Sequence, residues 1–191
     1  KQIEINIINI RDFASDKHKS VDGKPYGGGP GMILRPDIVV AAIESIPKNV
    51  YKILLSASGK KYSQKTAIGL SKKKDVALIC GHYEGTDARI EHFVDETVSI
   101  GDFVLTGGEI AAMAIVDSTT RLIGGVISKQ SIKEESYTNS QLEYPQYTKP
   151  VDFRKHLVPK ILLSGNHAKI AAWRKNESVK RTKKIRPDLI K

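Results

Sequence analysis

Two glycine-bounded polar loops hold the residues best suited to chemistry. The first, Gly81-His82-Tyr83-Glu84-Gly85, directly follows the apolar run Val76-Ala77-Leu78-Ile79-Cys80. The second, Gly101-Asp102-Phe103-Val104-Leu105-Thr106-Gly107-Gly108-Glu109, follows the β-rich run Thr97-Val98-Ser99-Ile100. Ligands of open α/β sheets bind outside the carboxyl ends of parallel strands, where two such loops would lie. Glycine lets backbone N–H and C=O groups approach a ligand closely, so the chemistry indicated is small-molecule binding through the main chain. Upstream, His18, Asp22 and Lys24 are polar groups in a run without helical or strand period; ligand contact and plain solvation are both open for them. That run ends in Tyr26-Gly27-Gly28-Gly29-Pro30-Gly31-Met32, which fits neither the dinucleotide fingerprint nor the Walker pattern. Arg121 stands four residues after Asp117, a spacing that describes a helix-surface ion pair as well as it describes a functional cation.

The elements that must position these groups are legible in outline. Residues 3–8 alternate Ile3, Ile5 and Ile7 with polar neighbours and read as a strand. Pro36 and Asp37 open a helix with Val39, Ala42, Ile43 and Ile46 on one face. Residues 50–57 read as a buried strand and residues 62–73 as a helix with a basic end at Lys72, Lys73 and Lys74. The strand 76–80, a short polar helix from about Thr86, the strand 97–100 and a helix over 110–122 follow. Ile110, Met113 and Ala114 are expected to form the buried stripe of that last helix. The alternation of strand and helix argues for an α/β fold with a mainly parallel sheet. The polar run 128–147 reads as a linker or a loop that orders on ligand binding. A helix from His167 turns Ile170 and Trp173 inward and projects Lys169, Arg174, Lys180 and Arg181.

Composition bounds the function classes. At 191 residues the chain can hold one domain with a core, or one domain plus a small appendage. No apolar run reaches the ~20 residues of a membrane span, and no signal peptide is visible. The single cysteine, Cys80, excludes a disulfide framework or a multi-cysteine zinc site, and a cytoplasmic location is expected. Net charge is +10, and residues 167–191 carry nine Lys or Arg against Glu177 and Asp188. A concentrated basic segment calls for a polyanion, most simply nucleic acid; a solvated charged face is the alternative.

Taken together, these motifs resemble the bacterial tRNA (guanine-N1)-methyltransferases of the TrmD type, in the knotted SPOUT superfamily. The resemblance rests on Asp16-Lys17-His18-Lys19 with residues 26–32, on Cys80-Gly81-His82-Tyr83-Glu84-Gly85, on residues 99–109, on Ser164-Gly165-Asn166-His167, and on Trp173-Arg174, Arg181-Thr182 and Arg186-Pro187-Asp188-Leu189. It covers nearly the whole chain. Family members usually begin with a further strand and helix before the equivalent of Lys1. Phe103 stands where tyrosine is common, Ala57 and Ala111 where proline is common, and Asn166 where histidine is common. The family's catalytic aspartate lies in a segment matched here by Glu134-Glu135-Ser136-Tyr137, one residue nearer to Lys129-Gln130.

The resemblance implies a SPOUT-type α/β domain with a deep trefoil knot over residues 1–127, a flexible linker over 128–142, and a small basic helical tRNA-binding domain over 143–191. It implies methyl transfer from S-adenosylmethionine to N1 of guanosine 37 in tRNA, by a homodimer with composite sites. Magnesium is admitted as an accessory ion. By matched position the methyl donor meets Ser56, then Tyr83, Glu84 and Gly85, then Ile100, Gly101, Leu105, Gly107 and Gly108. Glu135 takes the N1 proton and Arg121 stabilises charge on the guanine O6. His18 and Asp22 contact bases near the target, while Lys169, Arg174, Lys180, Arg181 and Arg186 hold the tRNA. A non-catalytic RNA-binding protein of the same fold is the alternative, and methyl-donor binding separates the two.

Overall fold

The computed structural model describes residues 2–128, 132, 135–137 and 140–190. The chain divides into two compact units, Lys1–Ile127 and Ser128–Lys191. In the first unit a parallel three-stranded sheet is built from β3 (Tyr51–Lys61), β4 (Val76–Cys80) and β5 (Glu96–Ser99), in the order β4-β3-β5. A short antiparallel pair, β1 (Asp22–Gly23) and β2 (Ile33–Leu34), brackets the glycine-rich run. Helices α1 (Pro36–Glu44), α2 (Gln64–Leu70) and α3 (Glu109–Thr120) and two 3-10 turns, Ile10–Phe13 and Ala88–Phe93, complete the unit.

The strands are apolar on both sides because helices cover both sides. Leu54 and Ile79 point into one core with Leu34, Ile38, Val39 and Ile90. Ile53, Leu55 and Val98 point into the other with Leu70, Ala111 and Ile115. Successive side chains of a strand face opposite ways, so neighbouring residues 53, 54 and 55 serve the two cores in turn.

β3 is longer than the sequence indicated. It pairs with β4 from Tyr51↔Val76 to Leu55↔Cys80. Beside β5 its register breaks after Leu55↔Val98 and resumes at Lys60↔Val98. The intervening residues 56–59 bulge where β4 has ended. A Cβ on Gly59 would lie 2.5 Å from the Val98 nitrogen, so only glycine fits this return to the sheet.

Three other expectations need correction. Residues 2–9 form no strand: Ile5 is 64% and Ile7 91% exposed, and among the described residues no strand pairs with them. Alternation defines two faces, but a strand exists only through its cross-strand hydrogen bonds. The helix expected over 62–73 spans only Gln64–Leu70. Tyr62 instead donates its N–H to the Ser99 carbonyl at 2.7 Å, alongside β5. Ser63 caps the helix start, and bonds from Lys72 and Lys73 back to Gly69 and Leu70 tighten its last turn. The basic run therefore lies beyond the helix, with Lys73 Nζ 3.7 Å from the Tyr51 ring centroid. In α3 the expected buried stripe faces outward, with Ile110 60% and Met113 70% exposed, while Ala111 and Ile115 are buried. The phase is set at the helix start, where Gly108 donates to the Gly81 carbonyl at 2.8 Å and turns positions 111 and 115 onto the sheet.

The second unit contains a hairpin of β6 (Asp152–Phe153) and β7 (His156–Leu157), a 3-10 turn Lys160–Leu163, and the helix α4 (His167–Ile185). Asn166 caps α4 through the Lys169 N–H. The polar run read as a linker is tied to this helix at Leu142. Leu142 donates to Thr182 Oγ1 at 2.9 Å and its carbonyl accepts from Ser178 Oγ at 2.6 Å. Thr182 is fully buried by this contact. Tyr147 packs on Trp173 with ring centroids 6.4 Å apart.

Candidate functional site

The carboxyl ends of β3, β4 and β5 share one edge of the parallel sheet, and the loops that leave β4 and β5 are joined. Beyond the Gly108–Gly81 bond, His82 and Gly107 form an antiparallel bridge. A Cβ on Gly108 would stand 2.7 Å from Cys80 Cα. The backbone at Gly108 is helical, open to any residue, so glycine is required here for space and not for conformation. Gly101 is covered by the Phe103 ring, which a Cβ would strike. The buried Ser99 hydroxyl donates to the Gly101 carbonyl at 2.9 Å and fixes the turn out of β5. Ser56 sits at the start of the β3 bulge, its hydroxyl 2.9 Å from that of Ser58.

A second glycine run reaches the same edge. Glu84 donates its N–H to the Met32 carbonyl at 3.0 Å, and Leu34 donates to the Gly85 carbonyl at 2.9 Å. A Cβ on Gly31 would fall inside the Glu84 side chain. Residues 31–34 are thus packed against the loop 82–85, an arrangement that sequence reasoning missed. The signal available was the glycine run itself, but nothing in a linear order says which loop it meets. Tyr83 adopts φ +59°, a conformation that L residues hold only when their surroundings impose it. Its N–H donates to His82 Nδ1 at 3.0 Å, and its hydroxyl accepts from Arg11 Nη2 at 3.4 Å. Tyr83 and Glu84 remain exposed, Gly85, Ile100, Leu105 and Gly107 half-buried, and Gly101 and Gly108 buried.

The edge is therefore a main-chain surface rimmed by exposed polar side chains, His82, Tyr83, Glu84, Asp102 and Glu109. Burial, and secondarily the Glu109 carboxylate, push the Cys80 thiol up, which disfavours a thiolate nucleophile. Among the described residues no group of three or more His, Cys, Asp or Glu is placed to hold a metal ion. Two clefts of about 470 and about 220 Å³ lie at the opposite, amino edge of the sheet, lined by Lys48, Lys52, Phe93 and Asp95 in one and Lys48, Tyr51, Lys73 and Asp95 in the other.

The remaining expected site residues are distributed over both units. Arg121 is half-buried at the carboxyl end of α3, where its N–H donates to the Asp117 carbonyl at 3.2 Å. Glu135 is half-buried in the second unit. Glu134 and the Lys129-Gln130 pair lie outside the described residues. His18 is exposed in a turn organised by Asp16, whose carboxylate accepts from the His18 and Ser20 N–H groups and the Ser20 hydroxyl. Those bonds, the Ser20 hydroxyl first, hold the Asp16 carboxyl below its usual range. Asp22 is half-buried in β1. On α4, Lys169, Lys180 and Arg181 are exposed, with Lys180 2.8 Å from Glu177. Arg174 is half-buried, its guanidinium 4.8 Å from the Tyr144 ring centroid, so it packs as well as carries charge. Arg186 is paired with Asp188 at 2.6 Å.

A parallel α/β unit with a glycine-lined surface at its carboxyl edge, followed by a basic helical unit, defines a class: small-ligand-binding α/β proteins equipped for a polyanionic partner. Comparison with known proteins refines this. The family model described as tRNA (Guanine-1)-methyltransferase TrmD matches residues 1–191, and the chain belongs to that family. A tRNA (guanine-N(1)-)-methyltransferase of Caldanaerobacter subterraneus subsp. tengcongensis is 53% identical over 100% of this chain and 80% of its own length. Proteins of the same name from Carboxydothermus hydrogenoformans and Metamycoplasma arthritidis are 52% and 50% identical, over 99% and 98% of this chain and 76% and 82% of theirs. The α/β fold with its parallel sheet and carboxy-terminal helix agrees with the SPOUT fold that this family implies.

Proposed function

We propose that this protein is an S-adenosylmethionine-dependent methyltransferase that methylates N1 of guanosine 37 in tRNA. The observation that carries this reading is the Gly108–Gly81 junction, which makes one surface of the two glycine loops in a chain of this family. At Gly108 a Cβ would strike Cys80, so glycine there lets the two loops close on each other and share one surface. Ser56, Tyr83–Gly85 and residues 100–108 are the proposed donor contacts. When bound, the donor supplies an electrophilic methyl group on a sulfonium.

The protein's own task is to make guanine N1 a nucleophile and to aim it. N1 carries a proton, so its lone pair becomes available only as that proton leaves. The Glu135 carboxylate accepts it. N1 then forms its bond to the methyl carbon as the carbon–sulfur bond breaks, and the electron pair stays on sulfur as a neutral thioether. Negative charge that gathers on O6 is met by the Arg121 guanidinium. The other contribution is alignment of N1 with the methyl carbon. His18 and Asp22 contact neighbouring bases, and Lys169, Arg174, Lys180, Arg181 and Arg186 face the tRNA backbone.

Residues 1–127 are the proposed knotted catalytic domain and residues 143–191 the tRNA-binding domain, joined by 128–142. Support for the knot is membership of this family, together with the junction of the loops after β4 and β5 at Gly81–Gly108 and His82–Gly107. Support for a homodimer is the outward apolar face of α3 and the loop before it, with Val104 86%, Ile110 60% and Met113 70% exposed. Magnesium is kept as an accessory ion.

Incubation with a labelled methyl donor and a tRNA transcript, followed by mapping of the modified base, tests the reading. Label at N1 of guanosine 37, absent when that guanosine is replaced by adenosine, is the expected result. Tight tRNA binding without transfer would favour the non-catalytic RNA-binding alternative.

A further inference from the structure

The hairpin β6–β7 in the second unit presents an unusual tip. Its turn residues, Arg154 and Lys155, both have positive φ, 53° and 69°. A two-residue hairpin turn of this shape favours Asn-Gly, because L residues with side chains resist the left-handed region. The turn is held by pairing of Phe153 with His156 and by the Lys155 N–H donating to Asp152 Oδ1 at 2.9 Å. The fold thus fixes two adjacent cations at an outward point against their local preference. Beside them Phe153 is 58% exposed, with the Arg154 guanidinium 5.4 Å from its ring centroid. Lys149 and Lys160, exposed on either side, add further positive charge. The one carboxylate in the hairpin, Asp152, is engaged by the turn itself.

We infer that this tip is an RNA contact in which the Phe153 ring stacks on an unpaired base while Arg154 and Lys155 take the adjoining phosphates. The inference rests on the tRNA reading above and adds a binding surface outside α4. Aromatic faces flanked by cations are how single-stranded segments are bound without base-specific hydrogen bonds. RNA is favoured over a protein partner by the number of cations, Lys149, Arg154, Lys155 and Lys160, gathered around one exposed ring.

The test uses the full chain and a tRNA transcript, with binding followed against salt. The double change Arg154→Asn with Lys155→Gly removes both cations and supplies the turn's preferred pair, so the hairpin is retained. It should lower the salt slope by roughly one to two units without lowering the thermal midpoint. Phe153→Leu should weaken tRNA binding about fivefold or more, Phe153→Trp should not, and a fully paired RNA duplex should show little difference between them. An unchanged salt slope in the double variant, or equal tRNA affinity for Phe153→Leu and wild type, overturns the proposal. So does a change in sedimentation of the free protein in place of a change in RNA binding. Wild-type protein that binds no tRNA would instead remove the functional reading on which the proposal stands.

Discussion

Asp87 shows how much a single carboxylate organises beside the site. It caps the 3-10 turn Ala88–Phe93 by accepting from the Arg89 N–H at 2.9 Å. It also receives Nε and Nη2 of the same arginine at 2.9 and 2.8 Å. These bonds, the guanidinium first, hold its carboxyl down at about 2, and its side chain is only 15% exposed. Because the folded value lies below the unfolded one, this contribution is present at neutral pH. It disappears as pH falls from about 4 through about 2. Asp87→Asn should therefore be less stable than wild type at pH 7, by on the order of 1 kcal/mol, with the gap closing at pH 2. Urea midpoints measured across pH 2–7 check this, and a constant gap would mean the charge contributes nothing. Chemistry is at stake in Glu135 and Arg121. Glu135→Gln keeps shape but cannot accept the N1 proton, and should lose ~10²–10⁴-fold in single-turnover rate while affinities hold. Arg121→Ala should cost a comparable ~10²–10³-fold. Raising the pH should rescue Glu135→Gln more than Arg121→Ala, since N1 loses its proton unaided in alkali. A Glu135→Gln enzyme within a few-fold of wild type would move the base to another carboxylate.

Among the elements, the loops after β4 and β5 depend on each other through glycine. Gly108 is the least forgiving point of these loops: an added methyl would meet the backbone of Cys80 and Gly81, which cannot rotate away. Gly108→Ala should cost about 1–3 kcal/mol in stability, read as a lower thermal midpoint. Gly107 differs, because a Cβ there meets chiefly the flexible Glu109 side chain and the edge of His82. Gly107→Val should leave the fold nearly intact and weaken methyl-donor binding by filling the loop surface. Calorimetric titration with S-adenosylmethionine separates the two, and an unchanged affinity in Gly107→Val would take residues 100–108 out of the donor site.

For the molecule as a whole, charge is the dominant feature, +10 over 191 residues with the excess gathered in residues 167–191. The exposed cations on α4 are Lys169, Lys180 and Arg181 among others, whereas Arg174 is half-buried against Tyr144. Changing Lys169, Lys180 and Arg181 together to Gln should therefore test phosphate binding without disturbing packing. The slope of log K against log salt should fall by roughly one unit for each phosphate that is no longer neutralised, with methyl-donor affinity unchanged. An unmoved slope would make α4 a solvated face. No helix is long and apolar enough to cross a membrane among the described residues.

What the sequence determined by itself is whatever depends on neighbours in the chain. The apolar run at Val76–Cys80, the Pro-Asp start of α1 and the charge of the tail are local properties, and each maps directly onto an element or a surface. The glycine loops were legible for the same reason, since glycine clusters mark places where backbone must approach something closely. Tertiary structure alone decided the rest. Ile3, Ile5 and Ile7 have a strand's pattern without a strand's partner, and pairing is not encoded in alternation. Which face of α3 is buried follows from the Gly108–Gly81 bond, not from its weakly amphipathic sequence. The same holds for Gly31 meeting Glu84 and for Leu142 meeting Thr182. Each of these pairs joins residues far apart in the chain, and steric fit between distant backbones is a property of the folded chain alone.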